Sequence, residues 1–327
     1  MQQHPSEPRD APSPTALSSG PTAGEPAVPT GSKPALVGRD GRLALVVGAA
    51  DLLFWPVVRA IPSSSNTVVA ITTFVSLFLV LLFTGRMARA MRSPRAVAVN
   101  LALSLLVVLP SILVPVLVHL FPSWPLWGGL FPYWKRYVAV FRGVSGLDML
   151  ALIWMAASLG TLLSRLVREF KLLLPMGVAL ALVDLYTVSS GVVATAVSGT
   201  NSLAKTAMSA LTVQLPTLQP KNGAAPFTLR IGFADFLFIA LFFACFARFD
   251  IPARRTFQVL FFTLFLYMAV VFLSGIALPA LVPIAVVVIG MNWRRFRYER
   301  SEAFALLYAG LLLSGALAYL TLRSRHG

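Results

Sequence analysis

Leu172–Thr195 reads LLLPMGVALALVDLYTVSSGVVAT, 24 residues with one charge, Asp184, near the middle. As an α-helix, a stretch of this length and polarity covers the roughly 30 Å hydrocarbon core of a bilayer. The rest of the chain has the same character. Of 327 residues, 57% are hydrophobic and 12% charged, too apolar for a soluble domain of this size. Nine stretches are long enough, or nearly so, to cross: 43–61, 67–84, 97–121, 146–164, 172–195, 229–247, 256–275, 276–291 and 304–322. The eighth is short and carries Pro279 and Pro283, so its entry is expected to be irregular. The predicted fold class is an all-α membrane protein, a polytopic bundle of about nine transmembrane helices. Four regions follow: a disordered Pro/Ala/Ser-rich tail (1–42), N-terminal helices (43–171), a region around two intramembrane acids (172–291), and a basic loop with a last helix (292–327).

The net charge of +15 raises the possibility of nucleic acid, which the distribution of the charges argues against. Arg86, Arg89, Arg92 and Arg95 follow the second stretch, and Arg165, Arg168 and Lys171 follow the fourth. Arg254 and Arg255 follow the sixth, and Arg294, Arg295, Arg297 and Arg300 follow the eighth. With alternating helices these loops share one side, together with Lys33, Arg39 and Arg42. That is the positive-inside pattern. It predicts a multi-pass protein of a bacterial or archaeal inner membrane, N-terminus cytoplasmic, whose loops meet anionic lipid rather than nucleic acid. The aromatic stretch 122–145 is expected to be interfacial or re-entrant; a tenth helix there would invert everything after it. The tail lacks the basic-then-apolar start of a cleaved signal peptide, so none is expected. One cysteine, Cys245, and three scattered histidines leave no set of metal ligands or histidine-based triad. No metal and no cofactor are expected.

Three acids lie inside apolar stretches: Asp51, Asp184 and Asp235. Each costs about 2.5–3.5 kcal/mol on insertion scales, so an intramembrane carboxylate is a functional candidate. The structural alternative is a protonated Asp hydrogen-bonded to a neighbouring helix. Asp148, near the start of the fourth helix, reads as a helix-terminal acid favoured by the dipole. Asp184 and Asp235 stand 51 positions apart on consecutive helices, which commonly run antiparallel side by side. Small residues one turn before each acid, Gly177 and Ala181 for Asp184 and Gly232 for Asp235, are expected to let the backbones approach. Two adjacent carboxylates share a proton, so one can activate a water while the other polarises a carbonyl.

The order of short motifs resembles the intramembrane aspartyl proteases of the presenilin and signal peptide peptidase family. Those proteins carry a first Asp in Tyr-Asp, a second in Gly-x-Gly-Asp, and a later Pro-Ala-Leu. The counterparts here are Val183-Asp184, Gly232-Phe233-Ala234-Asp235 and Pro279-Ala280-Leu281, the last 44 residues beyond Asp235. Val183 replaces the Tyr and Ala234 the Gly. The resemblance implies catalysis by Asp184 and Asp235. It also implies a substrate site formed by Gly232, Phe233, Ala234, Pro279, Ala280 and Leu281, and transmembrane or signal-peptide-like segments as substrates.

A protease of this kind must hold its substrate extended. Leu211–Leu215 and Phe227–Ile231 have strand-like composition and could receive such a strand, or could be an ordinary loop. Two other readings stay open: a proton- or cation-coupled transporter using Asp51, Asp184 and Asp235, and a catalytically inactive relative. The echo between Gly48-Ala-Ala-Asp51 and Gly232-Phe-Ala-Asp235 makes Asp51 a rival partner.

Overall fold

The computed structural model describes residues 39–60, 66–121, 132–137, 146–189, 211–214, 230–274 and 278–326, with isolated positions 123, 125 and 129. Residues 1–38, most of the predicted tail, lie outside them. Helices form at each of the nine expected places. They are α1 Arg39–Ala60, α2 Asn66–Ala90, α3 Pro94–Leu120, α4 Leu147–Leu163 and α5 Leu173–Ser189. Then follow α6 Phe233–Arg248, α7 Arg254–Ser274, α8 Leu281–Asn292 and α9 Arg300–His326.

Not all nine expected spans are shown. Among the described residues five helical stretches are long and apolar enough to cross a membrane: Arg39–Val58, Ile71–Ala90, Phe170–Ser189, Arg254–Val271 and Arg300–Leu320. Pro94–Pro110 and Leu147–Leu163 are apolar but shorter. The 16 residues of α6 and the 12 of α8 reach only about 24 and 18 Å at 1.5 Å per residue. Both are short for a local reason. A β-strand occupies the approach to α6, and Pro279 lies in the non-helical entry to α8. The fold is also not purely helical. Strands β1 Thr212–Gln214 and β2 Arg230–Gly232 pair antiparallel, Val213 opposite Ile231, within the two strand-like segments of the sequence.

Apolar side chains face outward, as they do in lipid. Helix α9 buries none of its apolar window and exposes Phe304, Leu307, Leu311 and Leu312. Lipid is as apolar as these side chains, so close packing rather than water exclusion holds the helices together. The tightest seam joins α4 to α6. Gly160 on α4 meets Ala240 on α6, and the small residues Ala156 and Ala157 on α4 and Ala244 on α6 are buried. A Cβ on Gly160 would sit 2.2 Å from the Leu237 carbonyl oxygen and 2.9 Å from the Leu241 nitrogen. Beside this seam, Phe236, Phe242, Phe243 and Phe246 are buried, and Phe74 and Phe78 of α2 meet Phe257, Phe261 and Phe265 of α7 edge-on.

The basic loops do share one end. Arg86 at the end of α2 pairs with Asp40 at the start of α1, 3.1 Å apart. Arg165 donates to the Arg92 carbonyl at 2.9 Å, and Arg248 donates to the Ser164 and Val167 carbonyls at 3.0 and 2.9 Å. Phe170 stacks on Phe296 and meets Phe249, while Lys171 pairs with Glu302. Helices α3 and α4 run antiparallel, because Trp154 meets Asn100 while Ser158 meets Met91. The end of α3 and the start of α4 therefore lie toward the same end of the bundle. The described helical piece between them, 132–137, lies on α3, with Trp134 Nε1 donating to the Pro110 carbonyl at 3.2 Å and the Tyr137 hydroxyl donating to that of Val107.

Candidate active site

Asp235 sits at the third position of α6, directly after β2. Its Oδ2 accepts the Gly232 N–H at 3.2 Å, meeting one of the donors that a helix N-terminus leaves free. Gly232 has no side chain to return the bond, so the box that often closes a helix start is half built. The hairpin fixes this start, since Thr212 pairs with Gly232 and the Phe233 N–H donates to the Leu211 carbonyl at 3.0 Å. A Cβ on Gly232 would lie 3.4 Å from Asp235 Oδ2. Phe233 packs on the core, and Ala234 is exposed. Asp235 is thus less deep along its helix than its apolar surroundings suggest.

Asp184 lies five residues before the end of α5. Its Oδ2 accepts the Leu281 N–H at 2.8 Å. Leu281 is the first residue of α8, where backbone N–H groups lack helical partners and the helix dipole attracts negative charge. Pro283, two positions on, has no N–H to offer, which leaves fewer donors competing for the carboxylate. The predicted Pro279-Ala280-Leu281 segment therefore reaches Asp184 through its backbone. The Tyr267 hydroxyl of α7 ties down the same segment by donating to the Leu278 carbonyl.

The Asp184 and Asp235 carboxylates interact electrostatically, and the Tyr267 phenol lies in the field of both. The route by which they meet differs from expectation. The two helices do not pack side by side; α5 packs on α8 and α9, while α6 packs on α4 and α2. Gly177 accordingly faces α8, where a Cβ would lie 3.2 Å from Ile289 and 3.8 Å from Ala285. The small-residue signal was real but its partner was not α6.

Asp51 is not part of this group. It is buried on α1, which packs on α2 and the start of α4, and its Oδ1 has no hydrogen-bond partner among the described residues. Val183 is 44% exposed and turned away from the cluster, while Tyr267 supplies the nearby phenol from another helix. Sequence reading passed over Tyr267; a lone tyrosine in the apolar run FFTLFLYMAVVF was the available signal. It also passed over Gly160, visible as Ala156-x-x-x-Gly160, a small-residue repeat at helical spacing. No group of three or more metal-binding side chains occurs among the described residues.

Compared with protein-family models, curated proteins and solved structures, the chain matches none.

Proposed function

We propose that this integral membrane protein is an aspartyl protease that hydrolyses peptide bonds of transmembrane or signal-peptide-like segments, with Asp184 and Asp235 as its catalytic pair. The observation that carries the reading is the Leu281 N–H bound to Asp184 while Asp235 lies in electrostatic contact with the same carboxylate. It supports the reading because Asp184 and Leu281 belong to two of the three predicted motifs. Acting as a catalytic pair, the two carboxylates hold one proton between them. The ionised one takes a proton from water as the water oxygen adds to the scissile carbonyl carbon. The protonated one donates to the carbonyl oxygen, and a proton passed to the amide nitrogen lets the C–N bond break. Tyr267, acting through Leu278, positions the 278–280 segment. The hairpin beside Asp235 has the main-chain groups to pair with an extended substrate strand.

By the positive-inside rule the basic end faces the cytoplasm and the pair lies toward the opposite face, in a bacterial or archaeal inner membrane. The test is cleavage of a model transmembrane peptide by the purified protein, with product masses read by spectrometry. Asp184→Asn and Asp235→Asn should each abolish cleavage while keeping the wild-type helical content. Cleavage that persists in Asp235→Asn would refute the assignment. A second reading, proton-coupled transport, rests on the buried and unpartnered Asp51 Oδ1. It predicts substrate-dependent proton movement in liposomes that Asp51→Asn removes.

A further inference from the structure

The C-terminal ends of α2, α4 and α6 enclose a cavity of about 200 Å³ at the basic end. Its lining includes Arg92, Arg165, Arg248, Thr161 and Ser164, and no Asp or Glu. None of the three arginines is in an ion pair among the described residues. Arginines at helix C-termini have an ordinary explanation, because each helix end carries about half a negative charge. Arg248 fits it well, donating through one nitrogen to the Ser164, Arg165 and Val167 carbonyls. The balance still leaves an excess. Three helix ends offset only about half of three full positive charges. A second observation comes from the lining itself: Arg165 Nε is buried and has no hydrogen-bond partner among the described residues. Thr161 donates to the Ala157 carbonyl at 2.7 Å and Ser164 to the Thr161 carbonyl at 2.7 Å, so the remaining donors are guanidinium N–H groups.

We propose that this cavity binds a phosphate group, held by Arg92, Arg165 and Arg248. A phosphate brings the missing negative charge, and its oxygens match the fork of guanidinium donors. The group could arrive on an anionic phospholipid or as free phosphate, since the cavity lies where the basic loops meet a membrane surface. The site is distinct from the aspartate pair. Asp235 and Arg248 stand at opposite ends of α6, about 20 Å apart along its axis.

Two arms test the proposal on the full-length protein. Thermal unfolding in detergent is followed during titration with sodium phosphate, against sodium chloride at matched ionic strength. Native mass spectrometry then counts phosphatidylglycerol retained after extraction from mixed phosphatidylglycerol–phosphatidylcholine bilayers. Arg92→Gln is the main variant, because Arg92 is exposed and no hydrogen bond of its side chain holds the fold together among the described contacts. Arg165→Gln supports it, and Arg168→Gln removes an equal charge from the same loop outside the cavity. Stabilisation by phosphate that weakens about tenfold in Arg92→Gln identifies free phosphate. Retained phosphatidylglycerol that falls similarly in Arg92→Gln identifies the lipid. An equal loss in Arg168→Gln, or no selectivity in either arm, overturns the site.

Discussion

Replacing Gly160 by Ala tests the seam that positions α6. The added Cβ would lie 2.2 Å from the Leu237 carbonyl oxygen, more than 1 Å short of van der Waals contact, and 3.0 Å from the Ala240 Cβ. The nearest obstacle is backbone, so no side chain can turn aside; the two helices must separate. Overpacking of this kind costs about 1–3 kcal/mol, and here the higher end applies because a whole helix must move. The intrinsic helix preference of Ala over Gly works the other way by about 1 kcal/mol. Net destabilisation of about 1–2 kcal/mol is expected. Gly310 and Gly315 on α9 provide the internal control, since a Cβ at either meets nothing within 4 Å. Gly310→Ala should therefore stabilise, leaving the two variants about 2–3 kcal/mol apart. Unfolding in detergent, followed by tryptophan fluorescence and circular dichroism, measures the difference. Because Leu237 is two residues from Asp235, Gly160→Ala should also slow peptide cleavage. Equal stability of Gly160→Ala and Gly310→Ala would refute the reasoning.

Other outcomes are also expected. Tyr267→Phe removes the hydroxyl bound to the Leu278 carbonyl and should slow cleavage about tenfold or more while global stability falls by only about 1 kcal/mol, as paired kinetic and unfolding measurements would show. Leu281→Pro deletes the N–H that Asp184 accepts; cleavage should be lost, whereas Leu281→Met, which keeps the N–H, should stay active. Asp250 follows α6 with φ of 51°, while the Ile251 N–H closes onto the Phe246 carbonyl at 2.8 Å, so Asp250→Gly should raise stability by about 0.5–1 kcal/mol in the same unfolding assay.

The positions of the helices were legible because lipid demands long apolar runs, and the charges between them marked which ends lie together. Their lengths were less legible. The expected sixth and eighth stretches begin at 229 and 276, but a strand at 230–232 and a proline-containing entry at 278–280 shorten α6 and α8. The site was legible as three motifs in order, and Leu281 does reach Asp184. The packing around it was not. Gly177 announces a close neighbour without naming it, and that neighbour proved to be α8. Asp51 shows the same limit from the other side: its sequence surroundings echo those of Asp235, yet α1 is packed elsewhere. Arg92 and Arg165 read as charges of separate loops until three helix ends bring them, with Arg248, to one cavity.

The short α6 has a consequence for hydration. Its basic end is level with those of α2 and α4, since all three line the same cavity. From that shared base α2 continues for 25 residues and α6 for 16, about 37 and 24 Å along their axes. The far ends of α2 and α6 therefore differ by about 13 Å of helix length, and the β1–β2 hairpin takes over where α6 stops, beside Asp235. Under the proposed function it is this hairpin, and not a further turn of helix, that water and a peptide arriving from the bilayer would meet beside Asp235.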